Sequence, residues 1–360
     1  MLGLKKIDIY IIRKFLGTFF FALGLIIVVS VVFDFSEKVD DFIEQKAPVG
    51  AILFDYYLNF IPYFSNLYTH LFVFIAVIYF TSKMATHSEI IAILSCGTSY
   101  RRLLVPYFIA ASIIALFTFI MGNYVIPHSN VNRLNFEEKY FKRMYRNPDR
   151  DIHKQIAPGV FIYLERYNTR SDYGTRFSME KIVDGQLVSK MMAANIRWDS
   201  TKQKWKAHNY WIREVDGLTE KLTSGVDIDT ALNLFPEEFK RAHNIVESMP
   251  TPELREFIYQ EKSRGQGSVH YYIELYRRSS APFAVFIMTL IGLTLSSRKF
   301  RGGMGMHIGF GIALSFSYIL FMQISKEFSI SGSLKPLMGV WIPNILFSLI
   351  AFYLYRIAPK

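Results

Sequence analysis

His87-Ser88-Glu89-Ile90-Ile91-Ala92-Ile93-Leu94-Ser95-Cys96-Gly97-Thr98-Ser99-Tyr100-Arg101-Arg102 lies between two long hydrophobic blocks. The spacing predicts a helix of about two turns, with Ser88 placed as N-cap and Glu89 where the helix dipole favours an acid. Gly97 supplies the stop. Ile90, Ile91, Ile93 and Leu94 recur at helical spacing, so one face is apolar and suited to another protein's groove. A plain amphipathic turn joining two membrane helices accounts for the same pattern, and without a motif it is the commoner case.

Working outward, the composition sets the class. Of 360 residues, 51% are hydrophobic and only 20% charged, with 32 Phe and 22 Tyr. The apolar residues fall into blocks long enough to cross a bilayer, which takes about 20 residues per helix. The chain therefore reads as an integral membrane protein. Its net charge of +11 raises the question of nucleic acid, but residues 123–270 hold 23 Lys+Arg against 20 Asp+Glu. The excess sits beside the hydrophobic blocks, as membrane topology requires, and no nucleic-acid partner is expected. The single cysteine, Cys96, excludes an internal disulfide. No small-residue processing site follows the first apolar block, which is read as a retained span.

Six spans are expected. Leu4 to Lys14 is a basic amphipathic start, and Phe15 to Phe33 is the first span, followed by an acidic loop carrying Asp34, Glu37, Asp40, Asp41 and Glu44. Asp55, Asn59 and Pro62 suggest an interfacial lead-in to a second span from Tyr63 to about Ser82. Leu103 to Gly122 is the third, and Asn130 to Tyr145 extends it as a helical stalk. Strand signals then dominate at Val160–Arg166, Phe177–Val183, Leu187–Trp198 and Lys204–Val215, with Asp184-Gly185 and Asp216-Gly217 as hairpin turns. Trp205, Ala207, Asn209 and Trp211 alternate with Lys204, Lys206, His208 and Tyr210, as in a half-buried strand. An antiparallel sandwich or open jelly roll follows, and Phe235–Glu261 is a helical return. Tyr271–Leu295, Met304–Ile324 and Leu337–Tyr355 complete the spans. The fold class is thus an α-helical membrane protein with an all-β domain between helices 3 and 4, divided as 1–122, 123–268 and 269–360.

The N-terminus, the loop from Lys83 to Arg102, the Arg298-Lys299-Arg301 loop and the C-terminus carry twelve basic residues against Asp8 and Glu89. By the positive-inside rule they are cytoplasmic, and the β domain is external. No phosphate loop, zinc-protease motif, cysteine pair or nucleophile elbow is present, so no catalytic residue, metal or cofactor is expected. Glu274, Arg277 and Arg278 lie one helical turn apart. A self-neutralising group explains them, and a lipid-phosphate contact is the sharper reading. Gly305, Gly309 and Gly311 are a close-packing signal for the fifth span.

The order Ser88-Glu89-x-x-Ala92-x-x-x-x-Gly97-x-Ser99-x-x-Arg102 resembles the cytoplasmic coupling helix of the LptF/LptG permeases of the lipopolysaccharide export transporter. Ile7–Leu16, Val125-Ile126-Pro127 and Tyr272–Pro282 are similar to that family's first-span opening, third-span close and fourth-span opening, in the same order. The resemblance implies an inner-membrane, multi-pass subunit paired with a homologous permease and driven by a dimeric cytoplasmic ABC ATPase. It implies lipopolysaccharide as cargo, a lipid portal between the first and fifth spans, and delivery through a periplasmic jellyroll to bridge proteins of the LptC/LptA type. Ser88, Glu89, Ala92, Ser95, Gly97 and Arg101 are then the ATPase-coupling candidates. Phe33, Lys38, Arg133, Arg277, Arg278, Gly305, Gly309 and Phe316 are the headgroup or gate candidates. Family members often carry a basic residue at the outer end of the first span. Here Asp34 holds that place, with Lys38 one turn on. A membrane-anchored assembly or sensor protein binding a periplasmic partner through its β domain is the competing reading.

Overall fold

The computed structural model describes residues 5–141, 150–168, 171–217, 219–230, 232, 234–236, 239, 243–263, 269–297 and 303–358. These divide into two compact units. A helical unit comprises Met1–Glu137, Glu247–Thr251 and Val269–Lys360, and a β unit comprises Glu138–Val246 and Pro252–Ser268. The helical unit runs on past the third span to Glu137 because the stalk continues the helix, with Ile126, Arg133 and Phe136 buried on it. The Arg298-Lys299-Arg301 loop lies outside the described residues.

In chain order the helical unit holds α1 (Lys6–Glu44), α2 (Val49–Thr86), the short α3 (Glu89–Ser95) and α4 (Tyr100–Tyr140). After the β unit and its helix α5 (Thr251–Ser263) come α6 (Val269–Ser296), α7 (Gly303–Ile330) and α8 (Pro336–Ile357). Among the described residues α1, α2, α4, α6 and α8 are long and apolar enough to cross a membrane. The 28-residue α7 covers the expected fifth span.

Two expectations change in detail. The acidic stretch after Phe33 is helix, not loop, because no glycine or proline stands between Gly24 and Pro48 and Asp34 pairs with Lys38 at i,i+4. The lead-in before Tyr63 is helical as well, entering α2 through a π turn at Ile52–Tyr57. A second π turn, Met121–Val125, carries α4 into its stalk. Wide turns of this kind absorb a local mismatch without ending the helix.

The helices pack around α6, which touches α2, α4, α7 and α8. Its most apolar window is 61% buried, against 17% for α1. Lipid tails are as apolar as leucine, so helices associate there through small residues and dispersion. A side chain at Gly292 would press into Val77 and Phe74 of α2. Helix α1 is peripheral: Ile11, Phe15, Phe19 and Leu23 form one i,i+4 stripe against α2 and α4, with the Phe15 ring stacked 5.6 Å from Phe80.

The β unit is one six-stranded antiparallel sheet in the order β1-β2-β3-β4-β5-β6. The strands are β1 (Arg150–Ala157), β2 (Val160–Asn168), β3 (Tyr173–Val183), β4 (Gln186–Asp199), β5 (Lys204–Asp216) and β6 (Thr219–Thr230). They follow one another as a meander within a single sheet, where a two-sheet sandwich or jelly roll was the expectation. Short connections leave no segment long enough to cross over. Asp184 and Gly185 both have positive φ, 52° and 79°, and close the β3–β4 hairpin in two residues. The end strands β1 and β6 escape the sequence pattern because they are charged and carry no aromatic residue, whereas each of the four inner strands has at least one.

One face carries the core, centred on Trp205, Ile162, Leu164, Phe177, Met191 and Ile196. Trp205 and Ala207 are fully buried, as expected, and Trp205 donates from Nε1 to the Leu234 carbonyl at 2.8 Å. The alternation then breaks. Asn209 adopts φ 50° and drops out of the ladder on both sides, so Tyr210 and Ile212 turn inward and Trp211 faces out. Strand β4 turns over at the same level, burying Met191 and Ala193 and then Ile196. One left-handed residue displaces a period of two by one place, which alternation alone does not foresee.

Candidate functional site

At the turn between α2 and α4, Ser88 does not cap α3. Its backbone is left-handed, at φ 60°, and its hydroxyl makes no capping bond. Helix α3 begins at Glu89 and is pinned to the bundle by Ile90, which is 1% exposed. Ile91, Ala92, Ser95, Cys96 and Gly97 are exposed, which leaves a small, uncharged outward face. Gly97 ends the helix as expected, with φ 81° and its N–H bonded to Leu94. Ser99, not Ser88, is the working cap here: its hydroxyl accepts from the Arg102 N–H at 3.3 Å.

The N-terminal end of α1 lies against this turn. Arg102 donates from both Nη atoms to Asp8, at 2.9 and 2.5 Å, and the Lys5 N–H donates to the same carboxylate at 2.7 Å. Asp8 is 1% exposed. The Tyr10 hydroxyl donates to Glu89 at 3.1 Å. Arg101 is exposed. Sequence reasoning gives Asp8 only as a minority charge in a basic run; an acid retained among Lys5, Lys6, Arg13 and Lys14 is the signal of a partner.

Toward the opposite end of α1, the Asp34 carboxylate gathers Lys38 at 2.6 Å and the hydroxyls of Tyr56 and Tyr57 at 3.0 and 3.3 Å. Lys38 also bonds Tyr56. Its ammonium is thus bonded inside the chain, with the side chain 25% exposed. Beside it runs a cleft of about 570 Å³ lined by Ile26, Val29, Ser30, Phe33, Asp34, Ser36, Glu37, Phe60 and Phe64. Phe33 is 73% exposed at its rim.

A second polar cluster joins α2, the α4 stalk, residues 247–251 and α6. Arg133 is buried, its guanidinium 4.8 Å from the Tyr63 ring centroid and 3.5 Å from Glu137. Its Nε makes no hydrogen bond among the described residues. Arg277 binds both oxygens of Glu274, at 2.9 and 3.1 Å, and Arg278 shares that carboxylate at 3.0 Å. The self-neutralising reading of this trio therefore describes what the side chains do. Burial, and after it Glu274, holds the Glu247 carboxyl above its usual range against the opposing pull of Arg277, Arg133 and Lys326.

A Cβ added at Gly305 or Gly309 would meet nothing within 4 Å, so these are not the packed glycines of α7. Gly311 is: a Cβ there would overlap Ile78 of α2. Phe316 is 55% exposed. Helices α1 and α7 both rest on α2.

Residues 9–357 match the family described as lipopolysaccharide export system permease LptF/LptG. The chain belongs to the LptF/LptG permease family. It is similar to the lipopolysaccharide export system permease protein LptG of Escherichia coli strain K12, 21% identical over 278 residues, covering 75% of this chain and 76% of that protein. The LptG of E. coli O6:H1 strain CFT073 matches over the same shares at the same identity. The family is one of transporter membrane subunits, inner-membrane permeases of lipopolysaccharide export. The matched range takes in both clusters and the α3 turn, and begins one residue after Asp8.

Proposed function

We propose that this LptF/LptG permease is the membrane subunit of an ABC-type exporter that extracts lipopolysaccharide from the outer leaflet of the inner membrane and passes it to a periplasmic bridge. The family match across residues 9–357 carries the reading. Six spans put both termini and α3 in the cytoplasm and the β unit in the periplasm, following the basic residues at the turn end of the bundle. The exposed face Ile91-Ala92-Ser95-Cys96-Gly97 docks on a cytoplasmic ATPase dimer, with Glu89 and Arg101 at its margin and Ile90 anchoring it to the bundle. A homologous permease completes the membrane unit.

The exposed faces of α1 and α7, where Leu25, Val28, Val32 and Phe33 match Phe310, Ile312, Phe316 and Leu320 in character, suit acyl chains. Open Gly305 and Gly309 let a neighbouring helix or lipid approach α7 closely. Arg133, beside the Tyr63 ring and paired only at 3.5 Å with Glu137, is the side chain in the second cluster best suited to a lipid phosphate. Arg277 and Arg278 support the cluster through Glu274.

The test is co-purification in mild detergent, with mass spectrometry of proteins and lipids. The wild type is expected to retain an ATPase, a second permease and lipopolysaccharide. A charge-assisted contact contributes about 1.5–3 kcal/mol, so Glu89→Ala weakens ATPase retention by roughly 10- to 100-fold. Glu89→Lys adds repulsion and weakens it further. Full retention and export in the lysine variant would remove the coupling role of α3.

A further inference from the structure

The turn carrying α3 is bonded to the start of α1, although 94 residues separate Asp8 from Arg102. The contact is a two-pronged guanidinium–carboxylate bond, with Nη1 to Oδ1 at 2.9 Å and Nη2 to Oδ2 at 2.5 Å. Such a fork fixes direction as well as distance, which a lysine cannot do. The Asp8 side chain is 2% exposed, so water does not compete for it. Its third donor is the Lys5 N–H, which ties the carboxylate to the first turn of α1 itself. Arg102 is fixed in turn by the first turn of α4, where Ser99 accepts from its backbone. On the same stretch of α1, Tyr10 donates to Glu89, the first residue of α3.

Beyond these tethers α1 grips the bundle unevenly along its length. Ile11, Phe15, Phe19 and Leu23 are buried, whereas Leu25, Val28, Val32 and Phe33 are exposed, the last three by more than 60%, before Asp34 and the buried Phe42 engage their neighbours again. A displacement entering at the α3 turn therefore reaches the exposed middle of α1 through its buried first turns. A two-pronged fork on a buried carboxylate, with a second hydrogen bond beside it, fixes the relative orientation of the two elements, which a hydrophobic contact does not.

We propose that Asp8, Tyr10 and Arg102 are positioning residues that make the α3 turn and the start of α1 one rigid body, so that motion of the coupling helix is delivered to the helix bordering the lipid portal. The inference rests on the exporter reading above and adds the route by which the turn's motion arrives.

His87 is an exposed residue of the same turn, outside the docking face. A spin label at His87→Cys, with the single cysteine Cys96 changed to Ser, is paired with one at Phe21→Cys, an exposed site on α1, in the complex purified with its ATPase. A third site, Phe283→Cys on α6, serves as reference. With the contact intact the 87–21 distance is expected to stay constant between nucleotide-free and ATP-trapped states, while both sites shift together relative to 283. Arg102→Lys, which keeps the charge and removes the fork, broadens the 87–21 distribution and abolishes the shift at position 21. Asp8→Asn combined with Tyr10→Phe gives the same result should the lysine variant insert poorly. Retained ATPase with lost export accompanies the loss. If position 21 follows nucleotide normally in these variants, the proposal is overturned while the exporter reading stands. A wild type that retains no ATPase overturns both.

Discussion

The guanidinium of Arg278 donates to the carbonyl of Met249 at 2.7 Å, bonding α6 to the 247–251 segment of the helical unit. The same side chain reaches the Thr251 hydroxyl at 3.2 Å and Glu274 at 3.0 Å, and it is 3% exposed. Removing it strands several buried partners at once. Arg278→Ala is expected to lower stability by about 3–5 kcal/mol, the cost of breaking a buried pair. Arg277→Ala, whose side chain is 29% exposed, costs less, about 1.5–3 kcal/mol. Thermal unfolding of the detergent-solubilised chain ranks the two, and the reverse order would reassign the structural arginine.

Glycines that look alike in sequence differ in surroundings. A Cβ at Gly339 would overlap the Ser329 hydroxyl and lie 3.0 Å from the Ser325 carbonyl oxygen, so Gly339→Ala forces α7 and α8 apart. Overpacking of that kind costs about 1–3 kcal/mol. Gly305→Ala and Gly309→Ala meet open space and are expected to leave the melting temperature of the isolated chain unchanged or slightly raised. Equal destabilisation by all three would contradict this packing.

Midway along β5, Asn209 holds φ 50°. Asn209→Gly is expected to be nearly neutral. Asn209→Val puts a β-branched residue in left-handed backbone, at a cost of about 1–2 kcal/mol. Limited proteolysis of the β unit reports the difference. A tolerated valine would mean that β5 relaxes there to regular extended backbone.

Acid weakens one edge of the sheet. Asp227 Oδ1 lies 2.6 Å from His208 Nδ1 and its other oxygen 3.0 Å from Lys206 Nζ. His208 first, and Lys206 after it, hold the Asp227 carboxyl below its ordinary value of 3.8. A carboxylate depressed in the folded state contributes stability above its unfolded pKa and loses that contribution as pH falls through the folded one. Protection of the β5–β6 amides, taken relative to their intrinsic exchange rate at each pH, is therefore expected to fall as pH drops below 3.8, and Asp227→Asn to flatten that acid limb. An unchanged acid limb in the asparagine variant would show that the pair adds nothing.

Periodicity and hydropathy along the chain determined most of the architecture: the long apolar blocks, the short helix stopped by Gly97, the four inner strands and the Asp184-Gly185 hairpin. Each depends on a residue and its near neighbours, where helix length, a left-handed glycine or a period of two is written locally. Tertiary structure alone decided which charges meet. Asp8 with Arg102, Arg278 with Met249 and Arg133 with Tyr63 join positions far apart in sequence, and no local spacing encodes a partner brought near by folding. The same holds for the glycines of α7: Gly305, Gly309 and Gly311 share one sequence signal, but only Gly311 lies against a neighbour, Ile78. The break at Asn209 falls between the two cases, since an asparagine tolerates positive φ anywhere, and only its place between β4 and β6 makes it adopt one.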